Sequence, residues 1–194
     1  MKVRVKGRRC IPLLYPALTV IVTCGVKNKI NGMAAAWVTP LSHSPTLVGV
    51  SISPKRLTHS MIVESGEFAI NILDFRYLEK VSHMGEVSGR DVENKFELVG
   101  LTPIAARRIV SPVVEEASAV LECRLYKRVE VGDHSLFVGE VLEAYAEEDF
   151  ELDWRLEKYR PIHYLGLQST PIHLRKYVTS KREVHTVGKL KLPR

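Results

Sequence analysis

A chain of 194 residues with 45% apolar and 26% charged side chains has the composition of one globular domain with a sizeable core. No run approaches the roughly 18 uncharged apolar residues that a transmembrane helix needs, and the basic N-terminus lacks a signal-peptide core, so a cytoplasmic protein with no membrane partner is expected. The three cysteines, Cys10, Cys24 and Cys123, are too few and too widely spaced for a disulfide framework or a zinc site and read as buried or incidental thiols.

Charge is unevenly spread along the chain. Nine cations (Lys2, Arg4, Lys6, Arg8, Arg9, Lys27, Lys29, Lys55 and Arg56) precede the first acid, Glu64. The middle is acidic, and the tail beyond Glu157 is basic again, with Glu183 its one acid. Such asymmetry suggests an anionic partner near the N-terminal half.

In chain order, residues 1–12 alternate basic and apolar side chains, which suits an edge strand or a loose arm. Residues 18–24 (LTVIVTC) read as a strand, and 26–32 (VKNKING) as an exposed turn. The run MAAAWV at 33–38 enters a second strand of small residues. Small side chains there either pack a tight barrel interior or let something flat approach the backbone. Residues 39–45 (TPLSHSP) read as a loop of hydroxyls and prolines, and 47–52 as the next strand.

The stretch 46–72 organises the rest. Strands 47–52 and 68–72 flank a Pro54 turn, the cations Lys55 and Arg56, Thr58 and a short amphipathic segment ending at Gly66. Strand, basic turn, hydroxyl and helix together suit a phosphate, because a helix start offers free N–H donors and an Arg adds bidentate hydrogen bonds. A surface turn with a helix cap is the plainer alternative.

Residues 76–84 have helical spacing, and a loop with Ser88, Gly89 and Arg90 leads to a short helix with Val92 and Phe96. Over 119–131 the period changes to two: Leu121, Cys123, Leu125, Val129 and Val131 share one face, and Glu122, Arg124, Arg128 and Glu130 the other. Gly132-Asp133 signals a hairpin, 134–145 its returning strand, 147–153 an acidic solvated linker and 161–166 a last strand. This order of strands with few short helices predicts an all-β fold, a barrel with short helical insertions. Neither G-x-G-x-x-G nor G-K-[ST] is present, so no Rossmann or P-loop nucleotide site is expected. His43 lies between serines, but sequence neighbours rarely face each other as base and nucleophile. His59, His83, His163, His173 and His185 show no metal-ligand spacing, and no metal is expected.

The ordered motifs N-G-M-A-A-A-W (31–37), T-P-L-S-x-x-P (39–45), V-S-I-S-P-x-R-x-T (50–58), E-S-G-E-F-A-I-N-I (64–72), S-G-R-D-V-E-N-K-F (88–96), G-D-H-S-L-F-V-G-E-V (132–141) and P-I-H-Y-L-G (161–166) cover the chain from about 12 to 166. Together they resemble the flavin reductase-like family of FMN-binding split barrels, which includes flavoredoxin. The resemblance implies a six-stranded split β-barrel over 13–166, an arm at 1–12, and a basic tail at 167–194 outside the likeness. It also implies a homodimer with FMN, in preference to FAD, near the subunit interface. Asn31, Gly32, Met33, Ala34, Ala35, Ala36 and Trp37, with Pro40, Leu41 and Ser42, would then pack along the ring and ribityl chain. Ser51, Ser53, Arg56 and Thr58 would hold the ribityl and phosphate end, Ser88, Gly89, Asp91 and Lys95 would close the site, and His134 would sit where the nicotinamide docks. The family often has Thr or Ser where this chain has Ala34, Ala35 and Ala36, which removes side-chain donors to the flavin.

The function so implied is an NAD(P)H-dependent oxidoreductase, a flavoprotein passing electrons to flavin or another small acceptor. The alternative is a flavoredoxin-like carrier reduced by a redox protein. Orienting donor against flavin needs no protein nucleophile, so the lack of a triad does not argue against an enzyme. A nucleic-acid-binding barrel is the rival from another class. The 7% aromatic content, without alternation of rings and cations, argues against it.

Overall fold

The computed structural model describes residues 2–148, 150, 154–167 and 175–180. The end of the acidic linker, His173, His185 and the tail beyond 180 lie outside the described residues. Twelve strands are described: β1 (Ala17–Leu18), β2 (Val20–Val26), β3 (Lys29–Ala35), β4 (Val38–His43), β5 (Thr46–Ile52), β6 (Glu67–Ile72), β7 (Pro103–Ile104), β8 (Val113–Val114), β9 (Ala119–Val131), β10 (His134–Ala146), β11 (His163–Leu167) and β12 (Arg175–Val178). The α-helices are α1 (Leu57–Ser65), α2 (Leu78–Glu86) and α3 (Lys95–Val99).

Seven strands form one antiparallel sheet in the order β3-β2-β6-β9-β10-β5-β4. Val20 and Val22 of β2, Val50 and Ile52 of β5, Phe68 of β6, Cys123 of β9 and Phe137 of β10 bury into the same core. Strands several places apart can share a core only if the sheet curls, so the sheet is a barrel. It is split where the edge strands β3 and β4, joined through Ala36 and Trp37, do not pair with each other. Smaller units, β1-β11-β12 and the β7-β8 hairpin, lie beside it. Gly139 of β10 allows the tight interior: a Cβ there would stand 2.5 Å from Phe68 Cζ and 2.9 Å from Cys123 Cβ.

Five segments depart from the sequence reading. The supposed loop at 39–45 is for the most part β4, which adds a seventh strand to the sheet. Pro40 is tolerated because β4 is an edge, with a register shift between Pro40 and Ser42. The turn expected over 26–32 shrinks to Lys27-Asn28, with Lys27 at φ 53, because Val26 pairs Lys29 and the remainder is strand. The N-terminal arm holds a 3-10 helix, Gly7–Leu14, instead of an edge strand. The tail, expected to contribute little, supplies β12, which pairs with β11.

The fifth departure is in β9, where Glu122, on the charged face of the alternation, is 0% exposed. Its carboxylate accepts hydrogen bonds from the backbone N–H groups of Arg107 (2.9 Å) and Arg108 (2.7 Å) and from the Tyr145 hydroxyl (3.0 Å). Period two holds only as far as Leu125: a register shift opposite Val138 and Gly139 then swaps the faces, so that Arg128 and Glu130 pair the buried Phe137 and Ser135 while Val129 and Val131 turn outward. Nor could the alternation show that a crossing loop covers the polar face at Glu122.

α1 runs from the basic turn and stops at Gly66, whose φ of 71 is the left-handed cap that ends a helix cheaply. α2 follows a 3-10 turn, Phe75–Tyr77, whose Arg76 N–H donates to Asp74 Oδ1 at 2.8 Å. Asn94 caps α3, its Oδ1 accepting from the Glu97 N–H at 3.2 Å. Among the described residues no helix is long and apolar enough to cross a membrane.

Candidate functional site

The start of α1, the strand β3, the end of α2 and the segment from Val87 to Lys95 enclose a small cleft. Asn31, Met33 and Ala34 form one wall, and Lys55, Arg56, Leu57 and Thr58 another. Met84, Gly85, Val87, Ser88, Gly89, Arg90 and Lys95 complete it. Beyond Leu57, Gly89, Arg90 and Lys95 the cleft continues into an open groove of about 1840 Å³ along the β2–β3 hairpin tip and α3.

Electrostatically this cleft is positive and uncompensated. Lys95, the first residue of α3, is 6% exposed and extends its Nζ beneath β3, where it donates to the Gly32 carbonyl at 2.7 Å. Burial first, and then the charge of Arg56, pull its pKa down to about 8. Among the described residues neither Lys95 nor Arg56 has a carboxylate partner. Arg56 is the N-cap of α1 with extended backbone, and no side chain caps the first turn of that helix. Its opening N–H groups therefore add to the positive field.

Hydrogen bonding leaves further unmet demand. Asn31 Nδ2 donates to Thr58 Oγ1 at 2.8 Å, which leaves the threonine proton free to donate elsewhere. Asn31 Oδ1 is buried and has no donor among the described residues. Gly89 lies against it; a Cβ there would stand 2.3 Å from Asn31 Oδ1. The Arg90 guanidinium closes one side by donating to the Lys55 carbonyl at 2.9 Å, and Ser88 Oγ accepts from the Arg90 N–H at 3.2 Å.

A second cluster lies at the start of β10. The Trp37 and His134 rings stack 4.7 Å apart at 41°, and Trp37 Nε1 donates to the Tyr15 hydroxyl at 3.1 Å. His134 Nδ1 lies 2.7 Å from Asp133 Oδ1. A carboxylate accepts only, so Nδ1 carries a proton and donates to Asp133. This bond, followed by the charge of His134, holds the exposed Asp133 carboxyl below its usual range.

Of the residues singled out from the sequence, Asn31, Met33, Ala34, Arg56, Thr58, Ser88, Gly89 and Lys95 converge on the cleft. Gly32 supplies the carbonyl that holds Lys95. Trp37 and His134 meet in the second cluster, with Ser51 beside them through its N–H bond to the Trp37 carbonyl at 2.9 Å. Pro40, Leu41 and Ser42 lie on the edge strand β4, and Ser53 stays in the turn, its carbonyl accepting from the Arg56 N–H. Asp91 faces the larger groove. Ala35 packs into the barrel core. Ala36 is half-buried in the link between β3 and β4.

The small residues of β3 serve the helices as well. A Cβ at Gly32 would meet Phe96 of α3 at 3.1 Å and Met84 of α2 at 3.3 Å, and one at Gly85 would meet Ala34 at 3.1 Å. What approaches that backbone face is protein. Sequence reasoning did not single out Leu57, Met84, Gly85 or Val87; Met84 gave a signal only as the apolar stripe of a helix.

A family profile described as the flavin reductase like domain matches residues 13–163. This chain belongs to that family. An FMN-binding protein from Thermus thermophilus, solved with bound 1-cyclohex-2-enone, shares 30% identity at a TM-score of 0.79, covering 96% of this chain and 99% of that one. Flavoredoxin from Methanosarcina acetivorans superposes at a TM-score of 0.81 with 25% identity, covering 96% of this chain and 95% of that one. In sequence, the ferric-chelate reductase (NAD(P)H) of Archaeoglobus fulgidus is 29% identical, over 83% of this chain and 92% of its own. The family's split-barrel fold is thus the fold of this chain.

Proposed function

We propose that this chain binds FMN and carries electrons from NAD(P)H to free flavin or another small acceptor. The observation that carries the reading is the pair Arg56 and Lys95, two cations converging on one cleft with no carboxylate between them. That arrangement wants an anion, and a phosphate on a flavin of this family answers the demand. The orphaned Asn31 Oδ1 and the cradle at Gly89 fit a polyhydroxylated neighbour of that phosphate.

In this reading Arg56, Lys95, the Thr58 hydroxyl and the opening N–H groups of α1 hold the phosphate. Asn31 Oδ1 accepts from a ribityl hydroxyl, while Ser88 and Gly89 shape the wall beside it. Trp37, Pro40, Leu41, Ser42 and Ser51 border the ring, with backbone N–H groups of β3 replacing the donors lost at Ala34, Ala35 and Ala36. When bound, FMN supplies two-electron chemistry between a nicotinamide and an acceptor. The protein orients the partners and keeps water out; His134, steadied by Trp37 and Asp133, docks the nicotinamide.

A homodimer completes the reading. Trp37 at 40%, Leu41 at 43% and Val131 at 54% exposure place apolar surface outside the barrel, where a second copy would cover it. Light scattering should give twice 21.9 kDa, and a monomer that binds FMN tightly would contradict it. A second reading, an electron carrier reduced by a redox protein, draws on the flavoredoxin likeness. Steady NAD(P)H consumption with added free flavin supports the reductase. Photoreduction of bound flavin without pyridine-nucleotide oxidation supports the carrier.

A further inference from the structure

Next to the proposed phosphate turn lies a polar chain, buried at His59 and Ser135 and exposed at Glu130, that the flavin contacts do not use. His59, in the first turn of α1, points its Nε2 at Ser135 Oγ, 2.8 Å away on β10. Ser135 Oγ donates to Glu130 Oε2 at 3.0 Å on β9. Ser135 is 0% exposed and His59 is itself buried, its ring edge against Phe137 at 4.9 Å and 82°.

The roles of the donors follow from the acceptor at the end. A carboxylate cannot donate, so the Ser135 proton is spent on Glu130, and the serine oxygen must accept from His59 Nε2–H. Burial and the neighbouring Arg128 push the His59 pKa down while Glu130 pulls it up, and the net shift is downward, so the ring is neutral at pH 7. Histidine, serine and a carboxylate are the members of a hydrolytic triad, but here the order is wrong. Serine is the middle member, has no base and has no access to solvent.

What the chain does control is position. His59 follows Thr58 directly, two residues after Leu57 and three after Arg56, so its anchor fixes the whole opening turn of α1. Ser135 follows His134 directly. One hydrogen bond therefore ties the turn that meets the phosphate to the strand end that carries the stacked histidine. We infer that His59, through Ser135 and Glu130, is a positioning residue that holds Arg56 and Thr58 in register with the flavin phosphate.

The inference rests on the phosphate reading above, and the experiment separates the two. Dissociation constants for FMN and for riboflavin are measured on wild type, H59L, H59Q and S135A, with thermal melts as a check on folding. In wild type FMN should bind the more tightly. S135A changes little volume and should keep the fold, yet it strands His59 Nε2–H, so the FMN preference should fall about tenfold. H59L should lose as much, and combining it with S135A should cost little more, because both break the same link. H59Q places an amide N–H near the Nε2 position and should restore most of the preference. A wild type with no preference for FMN over riboflavin overturns the phosphate reading and this inference together. A wild type with the preference, retained in S135A and H59L, overturns the inference alone.

Discussion

The ammonium of Lys95 lies 2.7 Å from the Gly32 carbonyl oxygen, pinning a buried cation from the start of α3 beneath the strand β3. A cation at a helix N-terminus opposes the helix dipole, and burial costs it solvation. Its placement is unfavourable unless something negative arrives. The Arg56 charge adds to the same strain, and a phosphate would relieve both.

Lys95 gives the site a pH dependence with a definite sign. Its pKa is about 8 in the free protein, and an anion bound beside it must raise that value. FMN affinity should therefore be full below about pH 8 and fall as pH rises beyond it. Riboflavin should show no such fall, and Lys95→Met should abolish it for FMN. Titrations between pH 6.5 and about 9.5 check this. For the free protein the sign reverses: the unfolded lysine holds its proton to about 10.4, so stability contributed by this group is lowest below pH 8 and rises as pH climbs through 8. An FMN affinity flat across that range would remove Lys95 from the phosphate.

His134 should matter to reduction and not to flavin affinity. His134→Ala removes the stacked partner of Trp37 and the proposed docking contact, so reduction by NAD(P)H should slow while the FMN dissociation constant stays nearly constant. Dithionite reduction bypasses the nicotinamide and should be unchanged. Stopped-flow traces that overlay for the two proteins would make His134 a plain hairpin residue.

Glu122 should be a stability residue remote from the cleft. Glu122→Ala strands two backbone N–H groups and the Tyr145 hydroxyl, at a cost of about 3 kcal/mol in denaturant unfolding. The Tyr145 pKa, pushed up to about 12 by burial and then by the Glu122 hydrogen bond, should fall in that variant. Ultraviolet titration of the tyrosine reads this directly.

Gly139→Ala tests the tightness of the barrel interior. The new methyl would overlap Phe68 and Cys123, both 0% exposed and unable to retreat, so unfolding should become easier by about 1–3 kcal/mol. Melting temperatures that match wild type would show more slack between β6, β9 and β10 than the distances allow.

The barrel was legible in the sequence because its long strands carry local signals. The alternation along 119–131, the Gly132-Asp133 turn and the Gly66 stop each state their structure within a few residues. The edge strand β4 was hidden because prolines and hydroxyls look like loop, and an edge needs only one neighbour to pair with. Arg56, Thr58 and Lys95 could be named from motifs, but their convergence depends on α3 folding back beneath β3, a contact 63 residues apart in the chain. Glu122 and His59 escaped for a related reason. A buried polar side chain looks like a surface one until the partner that crosses over it is known.

The most direct test of the central claim, that the Arg56 and Lys95 cleft holds the phosphate of a flavin, compares FMN with riboflavin on wild type and Arg56→Ala. Fluorescence titration at about pH 7 should show wild type binding FMN more tightly than riboflavin. Arg56→Ala should lose about 1.5–3 kcal/mol for FMN and almost nothing for riboflavin, the range for hydrogen bonds to a charged group. Equal losses for both ligands, or a wild type indifferent to the phosphate, would contradict it.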